Sequence, residues 1–337
     1  MSTRNWRLAG SVGLVSAALL LAACGGSDSG GSGASAGKLT KVSIGVSYPA
    51  IQYGPAFLAK ASGAFEDEGL DVEFKMTTST TLSSLAGGAI PVALISAPAI
   101  ESGNLNAGST LMKWLGTWDT NVNSSLLIAP DVDLKDPDRT LKAVFTSATA
   151  PSTLMTKYAL DQLGVDASRI RNVTVASSGS IQALWAEGEI DVRFSNNLDQ
   201  KADLAELPGS TVAYGFDDIP WVWGGLAVNA KWLKENPDTA VALVRGLNAG
   251  LEEWHANPAD AQKALVELNS AITPEDAASQ YEATIPVITK SVQPITLEIQ
   301  KSVLAMLKEV GEMPTATPDK AEQMFDNSFV EKVAGDE

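Results

Sequence analysis

Val42-Ser43-Ile44-Gly45-Val46, the apolar helix-like run Pro55 to Ala64, a turn at Gly69 and Val72-Glu73-Phe74-Lys75-Met76 together set the fold. Val42, Ile44 and Val46 alternate with period two, as do Val72, Phe74 and Met76, so each run reads as a strand with a helix between them. A helix from about Leu82 to Ala86 and the strand Val92-Ala93-Leu94-Ile95 extend the pattern. A second set follows: strand Lys142 to Phe145, helix Pro151 to Leu163 closed by Gly164, strand Val173 to Ala176, helix Ile181 to Ala186 and strand Ile190 to Phe194. Gly88-x-Ile90-x-Val92 recurs as Gly188-x-Ile190-x-Val192, each preceded by an alanine at 86 and 186. The echo falls at the same place in both sets, which predicts an α/β protein with two lobes of similar construction.

Two extended segments are expected to cross between the lobes, Leu126-Leu127-Ile128 outward beside Pro130 and Leu226-Ala227-Val228 on the return beside Gly224-Gly225, forming a hinge. This places 39–128 plus 225–337 in the first lobe and 129–224 in the second. After the return the sequence turns helical. Val241, Val244, Leu247, Leu251 and Trp254 recur every three or four residues, and Asn236-Pro237, Asn257-Pro258 and Thr273-Pro274 each read as a cap followed by a proline at the first helical position. These helices are expected to complete the first lobe.

The N-terminus carries different information. Arg4 and Arg7 precede an apolar run, Leu8 to Ala22, of about 15 residues, against the roughly 20 a helix needs to cross a bilayer. The run ends in Leu21-Ala22-Ala23-Cys24, the pattern of a bacterial lipobox. Residues 1–23 therefore read as a lipoprotein signal peptide, and Cys24 as a lipidated residue holding the protein on the extracytoplasmic face of the cell membrane. Cys24 is the only cysteine, so no disulfide, thiolate metal site or nucleophilic cysteine is predicted. Residues 24–38, rich in glycine and serine, read as a flexible tether. Formal net charge is -16, and without Arg4 and Arg7 it is -18, which argues against nucleic acid and anionic lipid as partners. A monomer without cofactor or metal is expected.

The chain resembles the nitrate/sulfonate/taurine and thiamine-pyrimidine-precursor type of ABC transporter substrate-binding proteins. The resemblance runs from about Lys41 to Val333 and rests chiefly on Gly63-Ala64-Phe65-Glu66-Asp67-Glu68-Gly69-Leu70-Asp71-Val72. Ala56-Phe57-Leu58-Ala59-Lys60, Gly188-Glu189-Ile190-Asp191, and Val228-Asn229 with Glu235-Asn236-Pro237-Asp238 add to it. It implies a type 2 periplasmic-binding-protein fold and a small organic solute, sulfonate-like or heterocyclic, passed to the permease and ATPase of an importer. Two departures weaken any transfer of ligand: Gly88-Ala89-Ile90-Pro91 lacks the aspartate usual there, and Arg193 stands where small or apolar residues are common.

In open α/β sheets ligands lie beyond the carboxyl ends of the strands. That rule selects Tyr48, Gln52 and Tyr53, then Thr78, Ser79 and Thr80, then Ser96, Trp118 and Asp119 from the first lobe. From the second it selects Thr146, Ser147, Ser152, Ser178, Asn196 and Asn197, with Trp221 and Trp223 at the return crossing. The hydroxyl-rich loops suit an anionic head at helix N-termini or simply cap those helices. The aromatic residues suit a heterocycle or a cation, or pack as core at the hinge, and Asp119 suits an amine or ring N–H. Arg193 is the one cation nearby, either a ligand contact or an ion-pair partner of Asp191 or Glu189. A related branch of the family makes the thiamine pyrimidine enzymatically with clustered histidine and cysteine. Here the single histidine, His255, sits near a predicted helix end where a surface role is expected. A ligand-sensing partner of a membrane receptor would share every one of these features.

Overall fold

A computed structural model describes residues 38–336, apart from 122–123, 149, 176–177 and 197–198. The signal-like segment and Cys24 lie outside the described residues, as does Asn197. The chain begins with β1 (Thr40–Val46), α1 (Gly54–Ala61), α2 (Ala64–Asp67), β2 (Leu70–Met76), α3 (Thr81–Ala86), β3 (Val92–Ile95), α4 (Ala99–Ala107) and β4 (Met112–Asn121). It continues with β5 (Ser124–Ile128), β6 (Leu141–Ala143), α5 (Pro151–Gln162), β7 (Ile170–Asn172), α6 (Ser178–Ala186), β8 (Val192–Asn196), α7 (Gln200–Glu206) and β9 (Thr211–Gly215). β10 (Pro220–Asn229) then leads to α8 (Ala230–Glu235), α9 (Pro237–Ala256), α10 (Pro258–Leu268), α11 (Pro274–Thr284), α12 (Leu297–Glu309) and α13 (Ser328–Asp336).

The strands form two five-stranded sheets of matching order, β2-β1-β3-β10-β4 and β7-β6-β8-β5-β9. β1 pairs in parallel with β2 and β3, and β6 in parallel with β7 and β8, as helical crossovers require. β10 and β5 arrive without a helical crossover and run antiparallel to both their neighbours. The sequence echo has a structural cause. Gly88 and Gly188 have φ of 74° and 70°, and each turns the chain out of a helix into the third strand of its sheet. A side chain at either position would be strained in that left-handed conformation.

Several boundaries differ from expectation. Leu126–Ile128 is not a connecting segment but part of β5, inside the second sheet, and Leu226–Val228 lies within β10 of the first. The chain instead passes between sheets after Asn121 and again at Phe216–Pro220, where the Phe216 amide donates to Ser124 O at 3.0 Å. The strand expected at Val173–Ala176 lies earlier, at Ile170–Asn172. Asn236 and Asn257 do not cap α9 and α10, because their amide groups reach back to Trp232 O and the Glu253 carboxylate of the preceding helices. Thr273 does cap, in a reciprocal box with Asp276 at the start of α11.

Three apolar clusters follow from these layers. The first lies between one face of the first sheet and α1, α9, α10, α11 and α13, with Val241, Val244, Leu247, Leu251 and Trp254 all buried. The second covers the other face of that sheet through α4 and α12 and continues by Phe216, Trp221 and Val222 into the second sheet and α5. The third lies beneath α6 and α7 on the far face of the second sheet.

Candidate functional site

The carboxyl ends of β1 and β3 meet the middle of β4 and the start of β10, and this junction gathers seven of the residues selected from the sequence. Gln52, only 4% exposed, donates to Tyr48 Oη at 3.5 Å and to Trp223 O at 3.4 Å. Trp118 Nε1 donates to Gln52 O at 2.6 Å, which fixes the short 3-10 turn at Ile51–Tyr53 against β4. The Tyr48 and Tyr53 rings meet edge to face at 5.8 Å. Ser96 and Asp119 are both 5% exposed and belong to the same group, Ser96 as a hydrogen-bond partner of the Tyr48 hydroxyl and Asp119 as a nearby charge.

Tyr48 presents an exposed ring while its hydroxyl is enclosed, so desolvation raises its ionisation above the ordinary 10.0. Asp119 adds to that rise and the Ser96 hydrogen bond opposes it. Tyr53 is wholly buried and is pushed well above the same value, chiefly by burial, and its Oη has no hydrogen-bond partner. Both phenols are therefore neutral donors at physiological pH.

The second sheet contributes a residue that the sequence reading missed. Phe194 of β8 stacks on Trp223 with centroids 6.1 Å apart and planes at 25°. From there Phe216, Tyr214 and Tyr158 continue a file of aromatic contacts along the sheet. The signal was present in β8, where Val192 and Phe194 face one side while Arg193 and Ser195 face the other.

Other selected residues are placed differently. Thr78, Ser79 and Thr80 are exposed in a 3-10 turn, and Thr78 adopts a left-handed φ of 41°. Thr80 Oγ1 donates to Thr77 O at 2.8 Å, and α3 receives no side-chain cap. Thr146 and Ser147 are exposed before α5, and Ser152 is half-buried in its first turn. Ser178 begins α6, its side chain lying outside what is described. Asn196 pairs with Asp199, its Nδ2 donating to Oδ2 at 2.9 Å, at the entry to α7. Trp221 is fully buried in the second apolar cluster, and its Nε1 has no partner.

Arg193 pairs with neither Asp191 nor Glu189, which are engaged by Arg139 and Lys142. Its partner is Asp203 of α7, with Nε to Oδ2 at 2.8 Å, and Nη2 donates to Gln182 Oε1 at 2.6 Å. The guanidinium is 8% exposed and Asp203 fully enclosed, so this is a buried ion pair on the α6–α7 face of the sheet. Nη1 alone lacks a partner. His255, half-buried in the last turn of α9, bonds Ile288 O at 3.0 Å rather than standing free on the surface.

Two matched α/β sheets, two passages of chain between them, and a polar and aromatic junction where they meet define the periplasmic binding protein class of fold. The chain is similar to the periplasmic nitrate-binding protein NrtA from Synechocystis PCC 6803, with a TM-score of 0.69 and 15% identity over 89% of each chain. It is similar to a sulfonate-binding SsuA from Methylobacillus flagellatus, with a TM-score of 0.66 and 18% identity over 89% of this chain and 95% of the other. A third likeness is the alkanesulfonate-binding SsuA from Xanthomonas axonopodis bound to MOPS, with a TM-score of 0.62 and 14% identity over 87% of this chain and all of the other. No curated protein matches the chain in sequence. The sequence model of the NMT1/THI5-like family matches residues 50–261, and the chain belongs to that family.

Proposed function

We propose that this protein is the solute-binding component of an ABC importer, taking up a small organic molecule between a lobe built on the first sheet and a lobe built on the second. The observation that carries the reading is the junction of Tyr48, Gln52, Ser96, Asp119 and Trp223 facing Phe194 of the other sheet. The lobes close when a ligand contacts both, because contacts made only in the closed form shift the balance toward it. Closed lobes then present a surface to the permease. The role is binding rather than catalysis: the one histidine is committed to Ile288 O, and the one cysteine stands in the lipobox-like segment.

Thermal unfolding with a panel of sulfonates, heterocycles, amines and amino acids tests the proposal. A ligand at a thousandfold excess over its Kd contributes about 4 kcal/mol, which moves the midpoint by several degrees. A panel without any shift, together with a protein that carries no small molecule from its own host, overturns it. Lipid anchoring at Cys24 predicts incorporation of labelled fatty acid that Cys24→Ser abolishes; incorporation that survives the substitution removes that part of the proposal.

A further inference from the structure

The carboxamide of Gln52 makes contacts that run in two directions. It donates to Tyr48 Oη at 3.5 Å and to Trp223 O at 3.4 Å. Tyr48 belongs to the loop after β1, and its ring is exposed. Trp223 belongs to β10, and its ring stacks on Phe194 of the second sheet. One side chain therefore stands between an exposed ring on the first sheet and the ring contact that reaches the second.

The surroundings hold Gln52 to that place. It is buried, so its amide cannot exchange either acceptor for bulk water without loss. Its carbonyl accepts Trp118 Nε1, which fixes its backbone. Its stem lies on Gly224, where a Cβ would stand 3.1 Å from Gln52 Cβ and 3.0 Å from Gln52 Cγ. Gly224 O in turn accepts Thr117 Oγ1 at 2.5 Å, so the strand beneath the stem is tied to β4. With backbone and stem fixed, the amide end is the part left to turn. Both of its bonds are at the long end of the hydrogen-bond range, where a small turn strengthens one at the expense of the other.

We infer that Gln52 is the positioning residue of the interlobe contact: it passes the placement of the Tyr48 ring to Trp223 and so sets how the Trp223 ring meets Phe194. The inference rests on the solute-binding reading and deepens it. A solute that moves Tyr48 turns the amide toward or away from Trp223 O and thereby biases closure. A second route also leads from Tyr48 to β10: its hydroxyl partner Ser96 precedes Ala97, whose amide donates to Val222 O at 2.9 Å.

Fluorine NMR of the purified full chain, labelled with fluorotryptophan and free of added ligand, separates the two routes. Among the eight tryptophans, Trp223 and Trp185 are assigned by the signals lost in Trp223→Phe and Trp185→Phe. Tyr48→Phe removes the hydroxyl and keeps the ring. It should move the Trp223 signal and leave in place that of Trp185, which lies in the third apolar cluster. In a Gln52→Leu background, which keeps most of the stem and removes the amide, the same substitution should lose most of its effect on Trp223. A Gln52 that only packs would leave the two substitutions additive. A Trp223 signal unmoved by Tyr48→Phe overturns the inference. So does a shift that survives intact in Gln52→Leu, which would assign the route through Ser96. Should Gln52→Leu fail to fold, Ser96→Ala takes its place: a Tyr48→Phe shift retained there upholds Gln52, and one abolished there overturns it. All of these outcomes leave solute binding untouched, since that reading is decided by the thermal panel and the search for a bound molecule.

Discussion

Glu101 shows how much a single residue can carry in this fold. It is fully buried on α4, its Oε1 accepts Trp114 Nε1 at 2.8 Å, and its Oε2 has no partner. Gln300 of α12 is also fully buried, and both its amide atoms lack partners. Burial pushes the Glu101 carboxyl above its ordinary 4.5, so the folded protein holds a proton that the unfolded chain releases. The stability this group contributes is complete below pH 4.5 and is lost as pH rises through the raised native value. Glu101→Gln keeps the acceptor for Trp114 and removes the titration. In urea unfolding from pH 4.5 to 8, the variant should therefore gain on the parent as pH rises, and parallel curves would refute the assignment. Residues of this kind are hard to read in a sequence, because Glu101 is one of 40 acidic residues and nothing local distinguishes it. Tyr48, Gln52, Ser96, Asp119 and Trp223 were legible, since a strand end points to its own loop. Arg193 was legible only as a cation near the site; its partner lies on α7, a helix whose sequence QKADLAE lacks the apolar spacing that would have announced it.

At the scale of elements, the α1–α9 pair depends on a close approach. A Cβ on Gly250 would stand 2.6 Å from Pro55 O and 2.9 Å from Ala59 Cα, a distance that backbone cannot yield without separating the helices. Overpacking of this sort costs about 1–3 kcal/mol, which exceeds the roughly 1 kcal/mol that alanine gains over glycine in a helix. Gly250→Ala should therefore lower the urea midpoint, whereas Gly335→Ala, on α13 with open space around it, should leave it unchanged or raise it. Equal behaviour of the two variants would refute the packing argument. The periodic elements were the legible ones: β1, β2, β3 and α9 stand within a few residues of where apolar spacing puts them. β4, β5 and β10 were not placed in their sheets, because a strand buried on both faces has no alternation to betray its direction or its neighbours. Asn236 and Asn257 show the same ambiguity in miniature, since a residue between two helices can serve either one.

Across the whole molecule, α12 joins what the two sheets divide. Its end and the segment after it meet α5 through the Lys157–Glu312 ion pair and a Gln162 Nε2 to Glu309 Oε1 hydrogen bond of 2.6 Å. Burial raises the Glu309 carboxyl, with Asp161 adding to the effect. Because the Lys157–Glu312 and Gln162–Glu309 contacts tie α5 to α12 and the segment after it, rotation of one lobe on the other should pivot there and open at Trp223 and Phe194. Hydrogen exchange with and without ligand should then show new protection at 216–224 and at Asn196, with α5 and α12 unchanged. Protection gained first along α12 would place the pivot elsewhere. The position of β10 carries one more consequence. This strand sits between β3 and β4, yet 124 residues separate it from the end of β3 (Ile95 to Pro220) and 98 from the end of β4 (Asn121 to Pro220). A chain emerging amino end first, from a ribosome or a translocation channel, therefore holds two open strand edges until Pro220–Asn229 arrives to close them. The order of synthesis runs against the order of assembly, and premature pairing of those edges with another chain is the hazard such a topology must outrun.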